Sequence, residues 1–552
     1  MLGRWIVLLG MGGLGCVWGQ AEEPGLGGAF VFEQREVEGW IGMHSYAWGR
    51  MGQRFVFVGG RCDGLHARQP FRSFPGENQL PGFTVWDSEK EQAQWVPWLG
   101  IPDSLLAQLQ SSNAAFLQVG EDLLFAGGYS YAAHRDDHMT HPRLLVLHLP
   151  SLLEAADQGG VMAEAIEVHS DDRWAVTGGR MGWVGQGADQ VLVCAGGHRF
   201  DGRYNPIGRP TYVQQYVDGI QPFRWNRVEG VTWLPPWRDE VHLHRRDFNW
   251  VQQVLPGGGM GGLLAGGVFQ HEVDLPFVHP VDVHPSGAAV SLGSSQRLNQ
   301  YHTAGLSLFS ARDSMQHVLF FGGMATHRWV ASEWTVDGDV PFVDQIGWLK
   351  RSSAAAIEAE ANWTEWQRPE RLPFLGGAAS EFLLHPDVPL HRPGIVDWDA
   401  VLSSKGDSVL LGYIVGGIVA EWENPFAYNL TEDTEAGSGI WTVWWQRGEE
   451  RPSRLREETD GAGWEWVWLA KGPRKRTLEL EVVVADSSHF RYHLVNGLGE
   501  RVQWGGWDTL APGTHWLEIS LLMRQREDWR LDLTEGDGII RSQWVPWRRR
   551  RR

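Results

Sequence analysis

The sequence predicts an all-β fold, a six-bladed β-propeller followed by a small C-terminal β-sandwich. Three observations predict it. A hydrophobic run closed by a glycine pair recurs six times along the chain. The composition is unusual, with 69 glycines and 32 tryptophans among 552 residues, as suits many short strands joined by tight turns. Segments with the 3.6-residue period of an amphipathic helix are scarce; Asp103 to Gln110 and Ser352 to Ala361 are the best candidates, and both are short.

From the N-terminus, Arg4 supplies a small basic region, and Trp5 to Trp18 carry no charge. Val17-Trp18-Gly19 and the polar stretch beginning at Gln20 then fit a cleaved export signal over residues 1–19, although the same run suits a buried first strand. Cys16 lacks the aliphatic context of a lipid-anchored terminus. No interior run approaches the ~20 apolar residues needed to span a membrane, so no transmembrane segment is expected after signal cleavage. Cys62 and Cys194 fall in the first and third repeats, which are not ring neighbours, and are expected unpaired. The formal charge of −19 argues against nucleic acid and anionic membranes as partners.

The propeller is expected over residues 20–451. Its runs are Phe55–Val58, Leu123–Ala126, Val191–Ala195, Leu263–Ala265, Val318–Phe321 and Leu410–Val415, each followed by Gly-Gly. The first glycines, 59, 127, 196, 266, 322 and 416, are separated by 68, 69, 70, 56 and 94 residues. A strand buried on both faces is continuously apolar, and glycines permit the tight bend and close approach where it leaves the sheet. Each run is therefore read as the inner strand of a blade. Polar loops and a further strand follow each pair, as in Phe83–Trp86 and Leu144–Leu147. The long last step predicts an insertion, with Ile346–Leu349 as one strand and Ser352 to Ala361 as a small excursion, and Gly28–Phe32 predicts the strand that closes the ring. A charged linker over 452–475 then leads to a β-sandwich over 476–552, with strands at Thr477–Ala485, Phe490–Leu494, His515–Ile519 and Trp529–Leu533.

The order of hydrophobic run, Gly-Gly, long loop and strand is the kelch pattern, so the body reads as a kelch-like β-propeller. The body resembles a group of uncharacterised kelch-like proteins of Bacteroidota. The shared stretches are Gly60–Phe71, Phe200–Pro206, His244–Asn249 and Phe320–Met324. The tail resembles the C-terminal sorting domain of proteins exported by the type IX secretion system. Leu494–Val502, Leu510–His515 and a basic last segment carry that resemblance; Gln525–Trp529 departs from the family's Pro-Ala-Gly-x-Tyr turn. The resemblances imply a fold, an export route to the cell surface or medium, and the secretion machinery as a partner. They imply no activity.

Candidate site residues lie on the long loops and at strand entrances, which ring symmetry gathers on one rim. Arg61, Asp63, His66 and Arg68 follow the first glycine pair; Asp136, Asp137 and His138 follow the second; His198, Arg199, Asp201 and Arg203 follow the third. His244, Arg245, Arg246 and Asp247 precede the fourth run, and His302 holds the matching place before the fifth. Guanidinium groups pair planar anions bidentately, which suits carboxylated or sulfated sugars; the same Arg and Asp residues equally suit ties between neighbouring blades. No EF-hand or His-Glu-x-x-His spacing, Walker loop, dinucleotide fingerprint or Gly-x-Ser-x-Gly elbow is present, so no metal or cofactor is expected. Three roles stay open: binding of a polysaccharide or surface protein, catalysis on carbohydrate with His244, Arg246, Asp247 and His302 as acid–base and anion-holding groups, and a structural part of an adhesin. Fold alone does not choose among them.

Overall fold

The computed structural model describes residues 26–447 apart from the short segments 70–71, 160–164, 206–210, 331–332 and 354–361, and beyond residue 463 the backbone of seven strands. The export segment and most of Ser352 to Ala361 lie outside the described residues.

Six sheets form the propeller, each with four antiparallel strands as its blade; the sheets of blades three and five carry one and two further short strands. Blade one is built from Ala47–Met51, Arg54–Val58, Gly82–Asp87 and Gln92–Pro97, and blade two from Ala115–Val119, Asp122–Ala126, Arg143–His148 and Ile166–Ser170. Blade three uses Arg180–Val184, Val191–Ala195, Gly219–Asn226 and Gly230–Trp233; blade four uses Asn249–Val254, Met260–Ala265, Val281–His284 and Gly287–Val290. Blade five comprises Ala304–Ser310, Met315–Phe321, Gln345–Ser352 and Thr364–Arg371. Blade six takes Glu381–Leu384, Ser408–Val415 and Ile440–Gln446 from the end of the ring and Ala29–Arg35 from its beginning. Ala29↔Gln446 through Arg35↔Ile440 pair in antiparallel register, so the predicted N-terminal strand closes the ring.

The core is a ring of six apolar interfaces. Blades one and two meet through Val56, Phe83, Leu123 and Phe125, and blades six and one through Tyr413, Val415, Phe55 and Trp86. The other four interfaces repeat this arrangement. A strand between two such layers is apolar on both faces, which explains the continuous runs. The runs are the second strand of each blade, not the innermost one. The first strands adjoin one another around the axis; they mix small and polar residues with large ones such as Phe116, Trp250 and Phe382, and so give a weaker sequence signal.

All twelve doublet glycines have positive φ. At the closing doublet, Gly416 and Gly417 have φ of 59° and 87°, and a Cβ on Gly416 would stand 2.1 Å from the Met43 carbonyl oxygen. That same carbonyl accepts the Gly417 N–H at 2.9 Å. The doublet is thus a turn through which one blade hydrogen-bonds to the connection leading into the next.

Helix Asp103–Leu109 forms as predicted. Leu149–Gln158 is also a helix, burying Leu149, Leu152, Leu153 and Ala156 with proline in its first turn. Its i, i+3, i+4, i+7 pattern was legible, but the apolar strand Arg143–His148 runs directly into it and conceals its start. The excursion expected over Ser352 to Ala361 falls mostly outside the described residues, and the extra elements described within the 94-residue step lie elsewhere. Between the first two strands of blade six, Ile395–Asp397 adds parallel to the inner strand of blade five. Helix Trp398–Leu402 follows it.

The C-terminal region has one sheet from Trp464–Lys471, Thr477–Val484 and Gly513–Ser520, and another from Arg501–Leu510, Ser488–Val495, Trp529–Glu535 and Gly538–Val545. Its first strand lies inside the stretch expected to be linker and pairs with Thr477–Val484.

Candidate functional site

Alternating strand direction sends the glycine-pair loops and the blade-to-blade connections to one face, so every candidate group lies on that face. At its centre six backbone groups form a closed ring. Asn113 N–H donates to Ser45 C=O (2.9 Å), Gly178 to Asn113 (2.9 Å) and Asp247 to Gly178 (2.8 Å). His302 donates to Asp247 (2.7 Å), Ala379 to His302 (2.7 Å) and Ser45 to Ala379 (3.2 Å). Five of the six, all but His302, have positive φ.

Arg180 and Glu381 fill the axis beside this ring. They enter from blades three and six, which are opposite one another. Glu381 Oε1 accepts from Arg180 Nη1 at 3.0 Å and lies 2.9 Å from His302 Nε2. Burial opposes the charge of Glu381, but Arg180 and His302 outweigh it and hold the carboxyl below its ordinary range. The cavity left among Ser45, Tyr46, Asn113, Asp247 and His302 is about 10 Å³, room for about one water. His302 is therefore engaged in the axial bond.

The predicted groups fall into two sets. The larger set interlocks the loops of blades one, two, three and six. Arg61 clasps Asp63 through Nε–Oδ1 at 2.8 Å and Nη2–Oδ2 at 2.6 Å, with His44 Nε2 3.7 Å from the same carboxylate. Burial works against Asp63's charge, yet His44 and Arg61 hold its carboxyl far below the usual range. His66 stacks on Phe74 (4.4 Å) and meets the ring edges of Tyr204 (4.9 Å) and Phe426 (5.5 Å). Burial drives its imidazole down to about 4. Arg68 lies over Phe426 at 4.6 Å. His138 Nε2 lies 2.7 Å from the Phe74 carbonyl, and Arg203 Nε donates to the Ser73 carbonyl at 3.1 Å. Arg199 pairs with Asp201, whose Oδ1 accepts the Thr140 N–H. Asp136 accepts from the Tyr131 hydroxyl at 2.6 Å, and Asp137 from the His138 N–H at 2.7 Å.

The smaller set stands near the axis. His244 lies between Tyr216 (3.9 Å) and His271 (3.7 Å) with Nδ1 2.6 Å from Asp218 Oδ1. Arg246 and Asp247 approach only to 3.8 Å. His198 is buried, and Gln214 meets its Nδ1 at 2.7 Å.

An open cleft of about 700 Å³ lies between the loop of blade one, helix Asp103–Leu109 and the hairpin Tyr129–Ala132/Asp137–Thr140 of blade two. Asp136, Asp137, His138 and Arg203 line it together with Glu77, Gln79, Asp103, Gln110 and Tyr131, which sequence reasoning missed. Gln79 ties its wall in place: its Oε1 accepts the Tyr131 N–H (2.6 Å) and its Nε2 donates to the Tyr131 carbonyl (3.3 Å). Among the described residues no three His, Cys, Asp or Glu side chains are placed to hold a metal ion. Cys62 and Cys194 are both free.

No protein-family model matches the chain, and no curated protein matches it. Among solved structures, that of YjhT is similar, with a TM-score of 0.40 and 8% identity over 74% of this chain and 99% of YjhT. So distant a likeness brings no activity with it.

Proposed function

We propose that the chain is an exported, surface-associated binding propeller that holds a neutral or amino-bearing polysaccharide in the loop-face cleft. One observation carries this reading. The cleft is about 700 Å³, within the usual range of ligand sites, and its walls present Glu77, Asp103, Asp136 and Asp137 against the single cation Arg203. Carboxylates accept pairs of sugar hydroxyls or an ammonium, and Tyr131 offers an aromatic face. The same excess of negative charge opposes a polyanion. The apolar N-terminal segment and the tail's resemblance to sorting domains support export through the type IX machinery. Because His302 is buried beside a space for about one water, the binding role has more support than acid–base catalysis by His302 at the axis.

Affinity electrophoresis of the full chain through gels containing neutral glucans, chitosan or polyuronates tests the reading. Retardation by a neutral or amino-bearing polymer, lost in Tyr131→Ala and in Asp136→Asn/Asp137→Asn, supports it. Mobility unchanged in every gel overturns it and leaves a protein partner or a structural role.

A further inference from the structure

Arg245 and Arg246 are sequence neighbours with opposite fates. Arg245 is fully buried and donates to three carbonyls, of His242 (2.6 Å), Gly266 (3.1 Å) and His279 (3.3 Å). Arg246 makes no side-chain hydrogen bond among the described residues. Its Nε is buried without a partner, its guanidinium lies over Phe269 at 5.0 Å, and its side chain is still 21% exposed. The Asp247 carboxylate, 24% exposed, stops 3.8 Å away and likewise makes no hydrogen bond.

The tightest ion pairs of the molecule are built differently. Arg61–Asp63, Arg351–Asp282 and Arg368–Glu370 close to 2.6–2.7 Å, and each is tied to further groups. A buried polar atom left unpaired is costly, so an unclosed pair whose ends both still reach solvent is arranged for a third group. The surroundings are aromatic and neutral: Tyr204, Tyr216, Tyr301, His66 and His198 are all close enough for the Arg246 charge to act on them. The tyrosines also sense Asp274, an exposed carboxylate on the same side. His66 and His198 are held neutral by burial.

We infer that Arg246 and Asp247 form a second, separate binding site, at the propeller axis, for a hydroxylated carboxylate of the uronic-acid class. The fork of Arg246 receives the carboxylate, Asp247 accepts hydroxyl donors on the same ring, and the aromatic wall covers the sugar's apolar face. The site shares no residue with the cleft, so the two stand or fall independently.

Isothermal titration of the full chain with D-glucuronate, D-glucose and acetate tests the inference. Glucuronate is expected to bind at least about ten-fold more tightly than either of the others, since each lacks one half of the recognised pattern. Arg246→Gln removes the binding. Asp247→Asn, which keeps a residue tolerant of positive φ, abolishes the preference for glucuronate over acetate. Tyr131→Ala, which alters only the cleft, leaves glucuronate binding unchanged. Without recourse to variants, glucuronate protects Arg246 from phenylglyoxal, read by peptide mass. Equal affinity for glucuronate and glucose, no heat with glucuronate, or phenylglyoxal modification unaffected by it overturns the inference.

Discussion

The guanidinium of Arg180, in blade three, lies 3.0 Å from the carboxylate of Glu381, in the opposite blade six, so the two bond across the propeller axis. At the same register the other blades carry Ala47, Ala115, Asn249 and Ala304, which leave space for that one charged pair. Removing one partner strands the other. Glu381→Ala is expected to cost about 3 kcal/mol, and Arg180→Met/Glu381→Met to recover most of it. Thermal melts of the single and double variants check this.

Acid sensitivity follows from histidines kept neutral by burial. His66 and His317 are pushed down to about 4 and His141 to about 3, against about 6.5 in the unfolded chain. Below about pH 6.5 the unfolded state binds protons that the folded state refuses, so stability is whole above that pH. It falls by up to about 1.4 kcal/mol per pH unit for each histidine on the way to pH 4. Denaturation midpoints between pH 7.5 and 4 are expected to drop, and His66→Phe to make the drop shallower.

Closure depends on the N-terminal strand. Phe30 is 3% exposed, meets Phe321 edge-on at 6.2 Å, and sits in the core between blades five and six. Phe30→Ala is expected to destabilise by about 3–5 kcal/mol, although no glycine doublet is touched. Limited proteolysis is then expected to cut first near the two ends of the ring.

The indole of Trp250 lies between two glycines of neighbouring blades. A Cβ on Gly182 would stand 2.1 Å from Trp250 Nε1, and one on Gly262 2.1 Å from its Cζ2. Gly182→Ala is expected to cost about 1–3 kcal/mol through overpacking. Trp250→Leu in the same chain is expected to restore at least half of that loss, measured as a double-mutant cycle.

Much of the fold was legible because its signals are local. A strand between two apolar layers shows as an unbroken run, as Val318–Phe321 does. A turn needing positive φ shows as glycine, as Gly322-Gly323 does. The closing strand Ala29–Arg35 was legible for the same reason. The strand Trp464–Lys471 was hidden by the charged stretch before it. Candidate groups such as Asp136, Asp137, His138 and Arg203 were found by their polarity on long loops. Their lining partner Tyr131 was not, because a tyrosine in a loop hairpin reads the same whether it is covered or open.

By itself, then, the sequence determined the all-β class, the six repeats and the face that carries the polar loops, since each follows from residues adjacent in the chain. Only the tertiary structure decided which groups meet. Arg180 and Glu381 are 201 residues apart and bond because the ring brings blades three and six face to face. Arg245 and Arg246 are identical in type and adjacent in sequence. The backbone turns one toward three carbonyls, so it is spent on the fold, while the other keeps a guanidinium without a hydrogen-bond partner among the described residues.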